Sequence, residues 1–120
     1  LTDFETQMNV IFAAMTWTNV GATPTIHLGK IRNQQADPKT AYNIKAGEGG
    51  AEVNLSGSGG VAFYRYRGTI EGWSDTATKR DKILADCIAE FPGQGVNIRS
   101  YEENYYQNYR SFIMEVDFIA

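Results

Sequence analysis

Residues 61–91, VAFYRYRGTIEGWSDTATKRDKILADCIAEF, change their hydrophobic period halfway along, and that change decides the fold. From Val61 to Trp73 aromatic and β-branched residues interleave with polar ones, which predicts a long strand. Gly68 and Gly72 inside it mark a bulge or a close contact. The cluster Ser74-Asp75-Thr76 then offers a helix cap. Beyond it Ile83, Leu84, Cys87, Ile88 and Phe91 recur at helical spacing, until Pro92-Gly93 stops the helix. A sheet strand leading directly into an amphipathic helix needs a shared core between the two layers.

The rest of the chain extends this pattern in both directions. C-terminally, Val96–Glu102 and Tyr106–Ile119 read as an antiparallel hairpin turning near Glu103-Asn104. In its second strand Phe112, Met114, Val116 and Phe118 face one way, and Ser111, Glu115 and Asp117 the other. N-terminally, Thr2 and Glu5 have capping-box spacing. Phe4, Met8, Ile11, Phe12 and Met15 form one stripe, predicting a helix over residues 3–16. Thr25–Arg32 reads as a strand, Asn33–Lys39 as a loop and Ala41–Ala46 as a short strand. Residues 47–60 hold six of the twelve glycines, Gly47, Gly49, Gly50, Gly57, Gly59 and Gly60. With so few side chains to bury and a high ordering entropy, this segment is expected to be an exposed, flexible arm, with Ala51–Leu55 as a loose strand inside it. The expected fold is one α+β domain over residues 1–120, a two-layer structure with two amphipathic helices on one face of an antiparallel sheet.

Length and composition exclude several classes. A chain of 120 residues with 14 acidic and 11 basic side chains, net charge -3, does not hold nucleic acid through bulk positive charge. One cysteine, Cys87, excludes an internal disulfide framework, and one histidine, His27, excludes a multi-histidine metal centre. The longest apolar run, Val10–Met15, falls far short of the roughly 18 residues that suggest a membrane span. The chain opens on Leu1 with no basic stretch before an apolar run, so no signal peptide is expected.

Candidate chemistry is sparse. Cys87 with His27 as base would be the simplest nucleophile, but Cys87 sits in a helix's apolar stripe and reads as a small buried hydrophobe. Glu115 and Asp117, two apart on one strand, share a face and would suit a hard cation or acid–base work. A solvated or salt-bridged face explains them more simply. Gly57-Ser58-Gly59-Gly60-Val61-Ala62 has the letters of a dinucleotide fingerprint but enters a strand, where the fingerprint must open a helix. The strongest cluster is aromatic and basic: Tyr64, Arg65, Tyr66 and Arg67 on one strand, and Tyr101, Tyr105, Tyr106, Tyr109 and Arg110 in the C-terminal hairpin. Tyrosine and arginine anchor protein interfaces. They also stack single-stranded bases. The acidic net charge favours the interface.

The order of elements resembles the small tail terminator or tail-completion proteins of tailed bacteriophages: an opening helix, strands, the excursion AGEGGAEVNLSGSGG, the aromatic strand running through Gly68-Thr69-Ile70-Glu71-Gly72-Trp73-Ser74, the helix ATKRDKILADCIAEF and a closing strand ending YRSFIMEVDFIA. The resemblance spans nearly the whole chain and rests on layout more than on a motif. It implies a structural virion protein with no enzymatic activity and no cofactor, assembled in the host cytoplasm. Such a protein forms a homo-oligomeric ring, usually of six, at the head-proximal end of the tail tube. The implied partners are the tail tube protein and a neck or connector protein, with DNA passing through unbound and no membrane involved. On this reading Tyr64–Arg67 and Tyr105, Tyr106, Tyr109 and Arg110 make the subunit interface, the glycine-rich segment reaches a neighbour, and Glu115 and Asp117 face the channel. A head-closure or tube subunit of the same particle fits the same layout. The reading from another class is a single-stranded nucleic-acid-binding module.

Overall fold

The computed structural model describes residues 3–28, 41–55 and 62–120. Helix α1 (Phe4–Ala14) is followed by β1 (Thr25–His27), β2 (Asn43–Leu55), β3 (Ala62–Ser74), α2 (Ala77–Glu90), a 3-10 turn (Pro92–Gln94), β4 (Asn97–Tyr105) and β5 (Arg110–Ile119). The strands form one five-stranded sheet in the order β1-β2-β3-β5-β4, with both helices packed against it in an α+β fold. All strand pairs are antiparallel except β1 with β2, so the sheet is mixed and not purely antiparallel. The connection between β1 and β2, residues 28–42, has the length that a parallel crossover requires.

Local chemistry sets the helix ends. Asp3 caps α1, its Oδ1 accepting the Thr6 N–H at 2.8 Å. Thr76 caps α2 by accepting the Lys79 N–H, as the polar cluster before it predicts. Phe4, Met8 and Phe12 of α1, and Ile83, Leu84, Cys87 and Phe91 at α2, are buried against Ile44, Ala46, Tyr66, Ile70, Phe112, Met114, Val116 and Phe118 of the sheet. Ile88 departs from the expected stripe: it is 42% exposed, turned to the edge of the buried face. In its place Arg80 and Asp86 are buried. Asp86 accepts the Asn19 and Val20 backbone N–H groups at 3.0 Å and the Asn19 side-chain amide at 2.8 Å. Glu90 likewise accepts the Thr16 N–H. Two carboxylates of α2 thereby fix the chain where it leaves α1.

The glycine-rich segment is not the loose arm that its composition predicts, at least through Leu55. Gly47, Gly49 and Gly50 lie in β2, paired with β3 across a bulge between Ala46 and Gly49. Gly49 and Gly68 are cross-strand partners, and a Cβ on either would stand 2.5–2.7 Å from the Phe4 ring. Bare backbone at this crossing is the seat of Phe4, so core contact comes from α1 and not from the segment's own side chains. Gly57, Gly59 and Gly60 lie outside the described residues, as does Thr25–Arg32 beyond Leu28.

The C-terminal hairpin turns later than Glu103-Asn104, because pairing continues to Tyr105↔Arg110. Tyr109 is buried and stacks on Tyr106 at 4.5 Å, and the Tyr106 N–H donates to the Tyr109 carbonyl. No helix among the described residues is long and apolar enough to cross a membrane.

Candidate assembly surface

Strand alternation puts Tyr64 and Tyr66 on one face of β3 and Arg65 and Arg67 on the other. The tyrosine face is the helix-covered one. Tyr66 is only 2% exposed and stacks on Phe118 at 5.1 Å, which makes it a core residue and not an interface anchor. Tyr64 is half-buried at the margin of the core, and its backbone exchanges hydrogen bonds with Ala120. Arg65 and Arg67 are exposed and line a shallow groove of about 310 Å³ with Gly50, Ala51 and Glu52. In the ladder Arg65 stands opposite Glu52 and Ile119, and Arg67 opposite Gly50 and Asp117.

The second half of the expected interface lies elsewhere. Tyr105 pairs with Arg110 at the start of β5, whereas Arg65 pairs with Ile119 at its end, so the clusters are roughly 30 Å apart at ~3.4 Å per residue. The C-terminal cluster is also turned inward on itself. The Arg110 guanidinium lies 3.4 Å from the centre of the Tyr105 ring and donates to the Tyr106 and Tyr109 carbonyls. It staples a turn. The two clusters do not form one patch.

Glu115 and Asp117 share a face, as their spacing predicts, but Asp117 is engaged within the chain. It is buried and accepts from the Asn97 amide at 2.9 Å and the Arg99 guanidinium at 2.8 Å. Arg99 also lies 3.5 Å from Glu115. The Asn97 hydrogen bond, then that of Arg99, holds the Asp117 carboxyl below the usual range. An open acidic channel lining is therefore not what Asp117 offers. The sequence held no local signal for this, since Arg99 meets Asp117 only through the register of β4 on β5.

Cys87 is buried, and its thiol is pushed well above its ordinary pKa by burial and by the adjacent Asp86 charge. His27 lies on β1, with its Nε2 2.9 Å from Asn43 Oδ1 and its ring 4.9 Å from that of Trp73. Among the described residues no group of three His, Cys, Asp or Glu side chains is placed to hold a metal ion.

Among the exposed apolar side chains of the described residues, three lie with the two arginines at one end of the sheet. Val53 is 53% exposed and Ile119 59%, and Phe63 is also exposed. Phe63 and Ile119 share the face of Arg65 as diagonal neighbours in the ladder. No family model matches the sequence, and no curated protein matches it either.

Proposed function

We propose that this chain is a self-assembling structural subunit, forming a ring at the head-proximal end of a phage tail tube that ends tube growth and joins the tail to the neck. One observation carries the assembly part of this reading: Phe63 and Ile119 stand uncovered beside Arg65 on one face at the end of the sheet, and Val53 is exposed on the opposite face of the same end. Apolar groups clustered beside arginine are what a protein partner covers. The tail-specific part rests on the resemblance in layout. The nearby negative groups, Glu52 and Asp117, stand directly opposite the two arginines and weaken the patch as a phosphate site, which favours a protein partner over single-stranded nucleic acid.

The test is native mass by light scattering over a hundredfold range of concentration, followed by addition to growing tail tubes. A closed oligomer of defined mass that caps tubes at one end supports the proposal. A monomer that binds single-stranded DNA with a steep salt dependence supports the nucleic-acid module instead.

A further inference from the structure

We propose that the outer edge of β2, from Ala46 to Leu55, receives an additional strand, and that this strand is β4 of a second copy of the chain, laid antiparallel. The inference rests on the self-assembly reading above and names its contact.

Both edges of the sheet are open among the described residues. Among the described residues β1 meets β2 only at Asn43, Ile44 and Lys45, which leaves Ala46–Leu55 with a strand on one side alone. β4 is the opposite edge, paired only with β5. Unpaired edge N–H and C=O groups are templates for another strand, commonly blunted by lysine or proline. The stretch AGEGGAEVNL, residues 46–55, contains neither, and beyond its bulge between Ala46 and Gly49 the ladder runs regularly from Gly49 to Leu55. The two edges match in extent, β4 having nine residues.

Strand directions also agree. β2 and β5 run one way and β3 and β4 the other. Head-to-tail repetition of the sheet therefore sets the neighbour's β4 antiparallel to β2 and keeps each face continuous. The face carrying Arg65 and Arg67 then continues into the neighbour's Ser100 and Glu102, because Glu102 shares a ladder row with Ile113 and Ser100 with Glu115.

Gly50 supplies the observation specific to this pairing. A Cβ there would meet nothing within 4 Å, and Gly50 is not among the glycines with positive φ, so neither packing nor backbone conformation within the chain requires glycine. Gly50 lies directly opposite Arg67. The strand beyond β2 lies two spacings from β3, about 9.6 Å, which an extended arginine spans together with a long acidic side chain reaching back toward it. Over a bare Gly50 the Arg67 guanidinium has an open path across β2 to the next strand, where the neighbour's Glu102 provides the opposite charge once that copy is staggered along the strands by four ladder rows, the offset between the Glu71 and Arg67 rows. A contact between two different edges is heterologous and propagates, closing into a ring where the rotation per copy allows.

The test uses Gly50→Cys combined with Glu102→Cys or with Ser100→Cys. Within one chain these positions are separated by β3 and β5, roughly 14 Å at ~4.8 Å per strand, beyond the ~7 Å Cα limit for a disulfide. Mild oxidation of a double variant is expected to give a ladder of covalent multimers ending at the native oligomer size, while each single variant gives none. A covalent dimer from Gly50→Cys alone would mean that β2 meets β2 and would overturn the pairing. No cross-link in a protein whose native mass is a closed oligomer overturns the pairing but leaves self-assembly standing. No cross-link together with a monomeric native mass defeats both. As an independent measurement, Arg67→Glu should shift the native mass toward monomer and adding Glu102→Arg should restore it. A folded double variant that stays monomeric counts against the contact.

Discussion

The two ends of the β2–β3 ladder differ in what covers them. At Asn43↔Trp73 and Ile44↔Gly72 the sheet is buried on both faces: Ile44 and Phe112 lie under the helices, and Asn43, Trp73 and Ser111 are closed off on the other side. At Val53↔Tyr64 and Asn54↔Phe63 large apolar side chains face solvent. Length explains the difference. Strands of 13 residues span roughly 43 Å, whereas helices of 11 and 14 residues cover roughly 16 and 21 Å. Phe4, the first residue of α1, is seated at Gly49 and Gly68, and the sheet runs on beyond it. One end holds the fold together, and the other is the end that the proposed assembly would cover.

The largest effect that sharpens this contrast is expected at the closed end. Leu84→Ala removes a buried side chain from α2 and should lower unfolding free energy by about 2–5 kcal/mol. Ile88→Ala, one turn on and exposed, should change it by less than about 0.5 kcal/mol. Denaturant melts of the two variants check this directly, and equal losses would show that α2 presents a different face.

Next in size is the tie between α2 and the chain leaving α1. Asp86→Ala strands the Asn19 and Val20 N–H groups, and hydrogen bonds to a charged acceptor are worth about 1.5–3 kcal/mol. A loss in that range is expected in the same melts, together with faster amide exchange at Asn19 and Val20. Unchanged exchange there would mean that the turn is held by other contacts.

Glycines at the two ends should respond differently. Gly68→Ala puts a methyl 2.7 Å from the Phe4 ring and from the Gly49 backbone and should cost about 1–3 kcal/mol by overpacking. Gly50→Ala finds open space, and its effect on monomer stability should stay within about 0.5 kcal/mol. A large loss at Gly50 would place it in the packed part of the chain.

What was legible in the sequence was what neighbours in sequence determine. The cap at Thr76 and the stripe Ile83, Leu84, Cys87 and Phe91 are local, and so is the alternation of Phe112, Met114, Val116 and Phe118; all take the places their spacing predicts. Three readings failed because the deciding partner is distant in the chain. Gly49 looked unable to join a packed structure, but Phe4 supplies the contact from 45 positions away. Tyr66 looked like a surface anchor, although alternation alone cannot tell which face of β3 the helices cover. Asp117 looked open until the register of β4 brought Asn97 and Arg99 onto it. Of the candidate site, the pair Arg65 and Arg67 was legible, whereas Phe63, Val53 and Ile119 drew no notice, since nothing in their spacing says where the helices end.

The smallest effect concerns that Asp117 site, which lies on the arginine face toward the open end. Its pKa in the folded chain is depressed by the Asn97 and Arg99 hydrogen bonds, so the folded state binds the Asp117 proton less readily than the unfolded chain does. The sign follows from linkage. The resulting stability is fully present above the ordinary aspartate value of about 3.9, and it is lost as pH falls through the folded value. Asp117→Asn keeps the shape and removes the titration, so its melting temperature should fall less steeply than that of the wild type below about pH 4. The two should differ by a constant offset from pH 5 to 7, where the wild-type carboxylate remains charged in both states. Parallel acid limbs would mean that Arg99 is held by Glu115 alone. Asp117 would then be free for a neighbouring copy, and the open end would carry one more charge toward its partner.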